Sequence, residues 1–113
     1  MSDTALTFSY AKGSKEGTTV LKLSGPLTLT NMFAFQAEFR ATKPPCLIID
    51  MTAVPYMDSA GLGLLTNYFV SAQGDNRRLL LAGVNERIMA LLEMTKVDQI
   101  LKTYPSVQAA ESA

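Results

Sequence analysis

The run Cys46-Leu47-Ile48-Ile49-Asp50 is apolar without alternation and carries two adjacent β-branched residues. A strand of that composition hides both faces, so structure has to cover it on either side. The stretch from Arg78 to Ala82 repeats the pattern and is closed by Gly83. Between the two, Leu62, Leu65, Phe69 and Ala72 recur at spacings of three, four and three, the stripe of a helix running to about Gln73. Gly74-Asp75-Asn76 then ends it. Buried strand, helix, buried strand is the grammar of a parallel pair joined by a right-handed crossover.

The flanking segments extend this unit. Leu6, Phe8 and Tyr10 alternate with polar or small residues, and Val20, Lys22 and Leu21, Leu23 fall on opposite faces of a second strand. The glycine-bearing turn Lys12 to Gly17 separates them, so the chain begins with an antiparallel hairpin. Met32, Phe35 and Phe39 mark a short amphipathic helix, for which Thr30 or Asn31 is the expected cap. Lys43-Pro44-Pro45 stops it. Asn85 is expected to cap a third helix with Ile88, Leu91 and Leu92 inward. Val97 to Leu101 reads as a short edge strand and Ser106 to Ala110 as a last helical turn, with residues 111–113 fraying. The reading is one α/β domain over residues 1–113: an N-terminal β-hairpin, then βαβα units on a mostly parallel sheet, with an ordered core over about residues 5–104.

Composition removes most chemistry. The 113 residues include no histidine, so a Ser-His relay and histidine metal ligation are excluded, along with the commonest acid-base side chain. Cys46 is the only cysteine and reads as a buried strand residue, not a thiol for a disulfide or metal. Asp50 and Asp58 are the only carboxylates near each other at a strand end. A phosphoacceptor of the receiver type would also need an acidic pair after the first strand, where Tyr10-Ala11-Lys12 stands. Gly61 and Gly63 lack the third glycine of a dinucleotide fingerprint, and there is no P-loop. Neither an enzyme nor a cofactor or metal protein is expected.

Ten acidic and ten basic residues cancel. The pairs Arg77-Arg78 and Lys12 with Lys15 read as solvated face, so neither nucleic acid nor direct membrane contact is expected. Residues Met1 to Ala5 have no basic n-region or apolar core, and apolar runs stay far below a membrane span. The expectation is a cytoplasmic protein, monomeric when free.

What remains is the junction Asp58-Ser59-Ala60-Gly61. A serine where a helix begins is usually only a cap. Here a phosphate on Ser59 would meet free backbone N–H groups and the positive end of the helix dipole. Ala60 and Gly61 are small enough to let a partner backbone approach, the alternative for Gly61 being close helix-strand packing alone. Tyr56 and Met57 offer apolar contact area beside it.

The stretch from Leu47 to Leu65, with Asp58-Ser59-Ala60-Gly61-Leu62-Gly63 at its centre, resembles the signature of the STAS domain. Its nearest branch is the bacterial anti-sigma-factor antagonists. Leu23-Ser24-Gly25, Arg78 to Val84 and Val84 to Leu101 fit the same pattern, so the resemblance spans nearly the whole chain. It implies an α/β sheet with helices mainly along one side. It also implies that Ser59 is phosphorylated by a partner that is both anti-sigma factor and serine kinase, and restored by a serine phosphatase. The unmodified protein would bind the anti-sigma factor and free the sigma factor, with Thr28, Tyr56, Met57, Asp58, Ser59, Ala60, Gly61 and Leu62 at the contact. Where antagonists commonly carry Gly-Glu-Leu/Val-Asp after the second strand, this chain has Gly25-Pro26-Leu27-Thr28, without either acid. A second reading within the family is a constitutive STAS subunit of a lipid-transport ABC complex or a signalling scaffold, in which Ser59 is a cap and contact residue.

Overall fold

The computed structural model describes residues 5–113. The apolar run becomes the middle strand of a five-stranded sheet ordered β1-β2-β3-β4-β5. β1 (Thr7–Lys12) and β2 (Thr18–Ser24) form the expected hairpin, with Phe8 opposite Leu23 and Tyr10 opposite Leu21. β3 (Cys46–Ala53), β4 (Arg78–Ala82) and β5 (Lys102–Tyr104) follow parallel to β2. Leu47, Ile48 and Ile49 are all fully buried, so β3 is covered on both sides as its composition demands.

One face of the sheet carries three helices: α1 (Phe33–Ala41), α2 (Ser59–Gly74) and α3 (Glu86–Met94). Their apolar stripes close over Leu21, Leu23, Leu47, Ile49 and Leu81 to form the main core. Phe35, Phe39 and the Tyr68 ring stack in sequence between α1 and α2, with centroids 5.0 and 4.5 Å apart. The α2 stripe is wider than its three-four-three spacing implies: Leu64 and Tyr68 are buried beside Leu62, Leu65 and Ala72, while Phe69 is only half covered. The opposite face is smaller. There α4 (Val107–Glu111), capped by Ser106, lays Ala110 on Ile48, Leu80 and Ala82. Cys46, expected to be buried, is only half-buried: it opens the middle strand at its N-terminal end, paired with Thr18 and Arg78, and packs against this second cluster.

Four local expectations need correction. Val97 to Leu101 is not a strand; Val97–Gln99 is a 3₁₀ turn, entered through Lys96 at φ 64°. Leu101 is buried at its end, and only then does the chain pair with β4, Leu80 opposite Lys102. The cap of α1 is Met32, with no side-chain bond, because Asn31 Nδ2 instead donates to the Pro26 carbonyl at 3.1 Å. Arg77 is not solvated face. Its side chain is 9% exposed and lies over the Tyr68 ring at 5.4 Å. Glu111 is held at the end of α4, where its carboxylate accepts from Ser14 N. Asn85 caps α3 as expected, its Oδ1 accepting from Ile88 N at 2.8 Å.

Candidate functional site

All the parallel strands deliver their connections to one end of the sheet, and the Asp58-Ser59 junction lies there. β3 ends at Ala53, Pro55 breaks the ladder, and the chain pairs once more, Met57 against Leu27 in an isolated parallel bridge. Leu27 N donates to the Tyr56 carbonyl at 3.1 Å, and Asp58 N donates to the Leu27 carbonyl at 3.3 Å. The β2–α1 connection is thereby strapped to the start of α2.

Asp58 completes the strap. It stands in extended backbone as the N-cap of α2, with Oδ1 accepting from Gly61 N at 3.0 Å. Its other oxygen accepts from Leu29 N at 3.1 Å. Partial burial opposes ionisation of this carboxyl. The backbone N–H groups of Gly61, Leu29 and Ala60 outweigh that penalty and hold it below the ordinary carboxylate value. Of the two roles the sequence offers Gly61, room for a partner and close packing, the structure requires the second. A Cβ there would run into the Leu27 carbonyl oxygen, so its smallness lets α2 press on the β2–α1 connection and leaves no opening to the outside.

Ser59, the first residue of α2, is exposed. Thr28 and Ala60 are half-buried beside it in the fold, and Tyr56 is 38% exposed with the Arg87 guanidinium 4.8 Å over its ring. Those residues do meet at one surface. Met57 does not join them: at 7% exposure it belongs to the core, turned inward by its pairing with Leu27. Gly61 and Leu62 are buried too, so of the expected contact set these three support the site from beneath. The helix end is also less free than expected. Gly61 N is taken by the Asp58 side chain and Leu62 N donates to the Asp58 carbonyl at 3.0 Å, so a phosphate on Ser59 would share this end with a carboxylate already seated.

Two apolar side chains escaped the sequence reading. Leu29 is 53% exposed and Phe33 69% exposed, on the β2–α1 connection and the first residue of α1. Phe33 could have been found, because it falls off the 32, 35, 39 stripe that the rest of α1 buries. Leu29 carries no such signal; its exposure follows from the tie between its N–H and Asp58. Among the described residues no group of three or more acidic or cysteine side chains is placed to hold a metal. No helix there is long and apolar enough to cross a membrane.

Residues 10–110 match the family model of the STAS domain. The chain belongs to the STAS domain family. Within it, the chain is 39% identical over 56 residues to an anti-sigma-B factor antagonist of Listeria monocytogenes, a match over 50% of this chain and 49% of that protein. It therefore spans about half the length of the curated relatives it matches. A putative anti-sigma factor antagonist of Thermotoga maritima shares the fold at a TM-score of 0.83 and 23% identity, covering 93% of this chain and 92% of that one. The Bacillus cell fate determinant SpoIIAA in its phosphorylated form superposes at a TM-score of 0.71 and 15% identity, over 94% and 98% of the two chains. At those identities the likeness is one of fold: this STAS domain has the same mixed sheet and helical face.

Proposed function

We propose that this STAS domain is an anti-sigma-factor antagonist that works by binding and not by turnover, with Ser59 as its phosphorylation switch. In the unmodified state the surface formed by Thr28, Leu29, Phe33, Tyr56 and Ser59 docks an anti-sigma factor in the cytoplasm, and the sigma factor is released. The anti-sigma factor, acting as a serine kinase, phosphorylates Ser59 and breaks the contact, and a serine phosphatase restores it. The observation that carries this reading is an exposed serine at the first position of α2, beside exposed Leu29 and Tyr56 and seated on a hydrogen-bonded strap. The relatives' description as antagonists supports the same direction.

The energetics suffice without any change of fold. A phosphate brings roughly −1.5 to −2 charges to a surface that docking must desolvate. Weakening the complex about 100-fold requires only about 2.7 kcal/mol. Two causes act together here. The phosphate is an unpaired charge in an apolar contact. It also adjoins the ionised Asp58, which has already taken the favourable N–H groups.

The decisive test is the affinity of Ser59→Ala and Ser59→Asp for the anti-sigma factor from the same cells. The alanine variant is expected to bind like unmodified protein and to resist regulation, and the aspartate variant to bind about 100-fold more weakly. Equal affinities of the two would overturn the reading. Intact mass from native cells, before and after phosphatase treatment, reports whether Ser59 carries the group.

A further inference from the structure

A second polar site lies away from the Ser59 end, in the cleft between the C-terminal parts of α1 and α2. The cavity there measures about 220 Å³, and its polar lining consists of Arg40, Lys43, Asn67, Tyr68, Ser71 and Arg77. Every one of these can donate a hydrogen bond, three are cations, and none of the described residues lining it is acidic. The cations come from two stretches of sequence more than thirty residues apart, Arg40 with Lys43 and then Arg77, so no basic patch is visible along the chain.

Arg77 is fixed in place before anything binds. Its backbone N–H donates to the Ala72 carbonyl at 2.7 Å, after a turn through Asn76 at φ 60° that folds the chain back under α2. Its Nε and Nη2 donate to Asp75 Oδ2, and its Nη1 to the Tyr68 hydroxyl at 3.2 Å. The Tyr68 hydroxyl in turn donates to the Thr42 carbonyl at 2.6 Å. Burial raises the Tyr68 phenol against the opposing influence of Arg77, so it stays protonated near neutral pH. This network holds a guanidinium at the cavity wall at no further entropic cost.

The other two cations have no such employment. Arg77 with Asp75 is the only ion pair among the described residues, so neither Arg40 nor Lys43 has a carboxylate within pairing distance. Arg40 sits in the last turn of α1, where a cation complements the helix dipole; Lys43 lies beyond the helix and gains nothing from it. A chain with ten charges of each sign has thus gathered three cations around one hollow and neutralised only one of them.

We propose that this cleft binds a small soluble phosphate ester, its phosphoryl oxygens held by Arg40, Lys43 and Arg77 and by the Asn67 and Ser71 side chains. The unpaired Arg40 guanidinium can meet a phosphate bidentately, which suits a phosphate better than a halide, while Arg77 adds the N–H groups left over from Asp75 and Tyr68. The cavity is many times the roughly 10–15 Å³ that one water needs on the same measure, leaving room for a small organic group. A lipid headgroup fits less well, because none of the exposed large apolar side chains lines the cleft to anchor a membrane. The site is independent of Ser59, and its test does not depend on the switch.

Inorganic phosphate and glycerol phosphate, titrated at constant ionic strength into the ¹⁵N-labelled full chain, provide the probe. The expected result is saturable shifts at Asn67, Ser71 and Arg77, with affinity weakened about tenfold or more in Arg40→Ala/Lys43→Ala. Both substituted side chains are exposed, so that variant keeps its fold. Ser71→Asp, which places a carboxylate in the cleft, is expected to abolish binding. Linear unsaturable shifts, shifts confined to the Ser59 end, or equal affinity in the double variant would each overturn the proposal. Retention on phosphatidic acid vesicles without binding of either free probe would overturn the assignment to a soluble ester.

Discussion

Asp58 and Gly61 do opposite jobs at the same junction, one by bonding and the other by being absent. Asp58 ties two chain segments through two oxygens, and its folded pKa lies below the unfolded value of about 3.9. The stabilisation it provides is therefore present above the unfolded pKa and lost as pH falls through the folded one. Asp58→Asn keeps one acceptor oxygen and cannot ionise. We expect it to lower the urea midpoint at pH 7, and the gap from wild type to shrink steadily below about pH 4. A gap independent of pH would mean that the carboxylate's charge is not what secures the strap. For Gly61→Ala the new methyl meets backbone, the Leu27 carbonyl, which cannot swing aside. Overpacking of that kind costs about 1–3 kcal/mol or more, measurable as a lower urea midpoint with unchanged slope. The motif residues were legible as a group, but which of them face outward was not. Met57 turns inward because it pairs with Leu27, thirty residues earlier, and no local pattern records that bridge.

At the scale of elements, α1 is the part that depends most on its neighbours. It has nine residues and no side-chain cap, well short of what stands alone in water. Its anchorage is the aromatic column of Phe8, Phe35, Phe39 and Tyr68, which joins β1 to α1 and α1 to α2. Phe39→Ala removes the fully buried middle of that column and is expected to cost about 3–5 kcal/mol in urea unfolding. Hydrogen exchange should show α1 amides losing protection more than those of β3. Uniform loss across the sheet would indicate that α1 and the sheet unfold as one unit. The same contrast explains what a reader of the sequence sees. β3, β4 and α2 advertise themselves because burial on both sides, or a long stripe, fixes their composition. β5 is three residues held by one neighbour, with Lys102 exposed, so pairing with Leu80 to Ala82 defines it and its own composition does not.

The whole molecule is lopsided: three helices share one face of the sheet, and a single five-residue helix covers the other. Short as it is, α4 hides the outer side of the two most buried strands. It lays Ala110 and half-buried Val107 on Ile48 and Leu80, and Glu111 reaches the hairpin turn at Ser14. Without it, the apolar residues that make β3 and β4 recognisable would face water as one patch, and such patches drive association. Truncation after Tyr104 is therefore expected to cost roughly 2–4 kcal/mol in urea unfolding. The shortened protein should also self-associate with rising concentration, by light scattering, while the full chain does not. Because α4 lies across the sheet from the three helices that hold the Ser59 end, affinity for the proposed anti-sigma-factor partner should survive truncation wherever the monomer persists. A truncated chain that stays monomeric with an unchanged urea midpoint would mean that α4 lies on the sheet without holding it. The two-sided burial of β3 would then rest on some other cover.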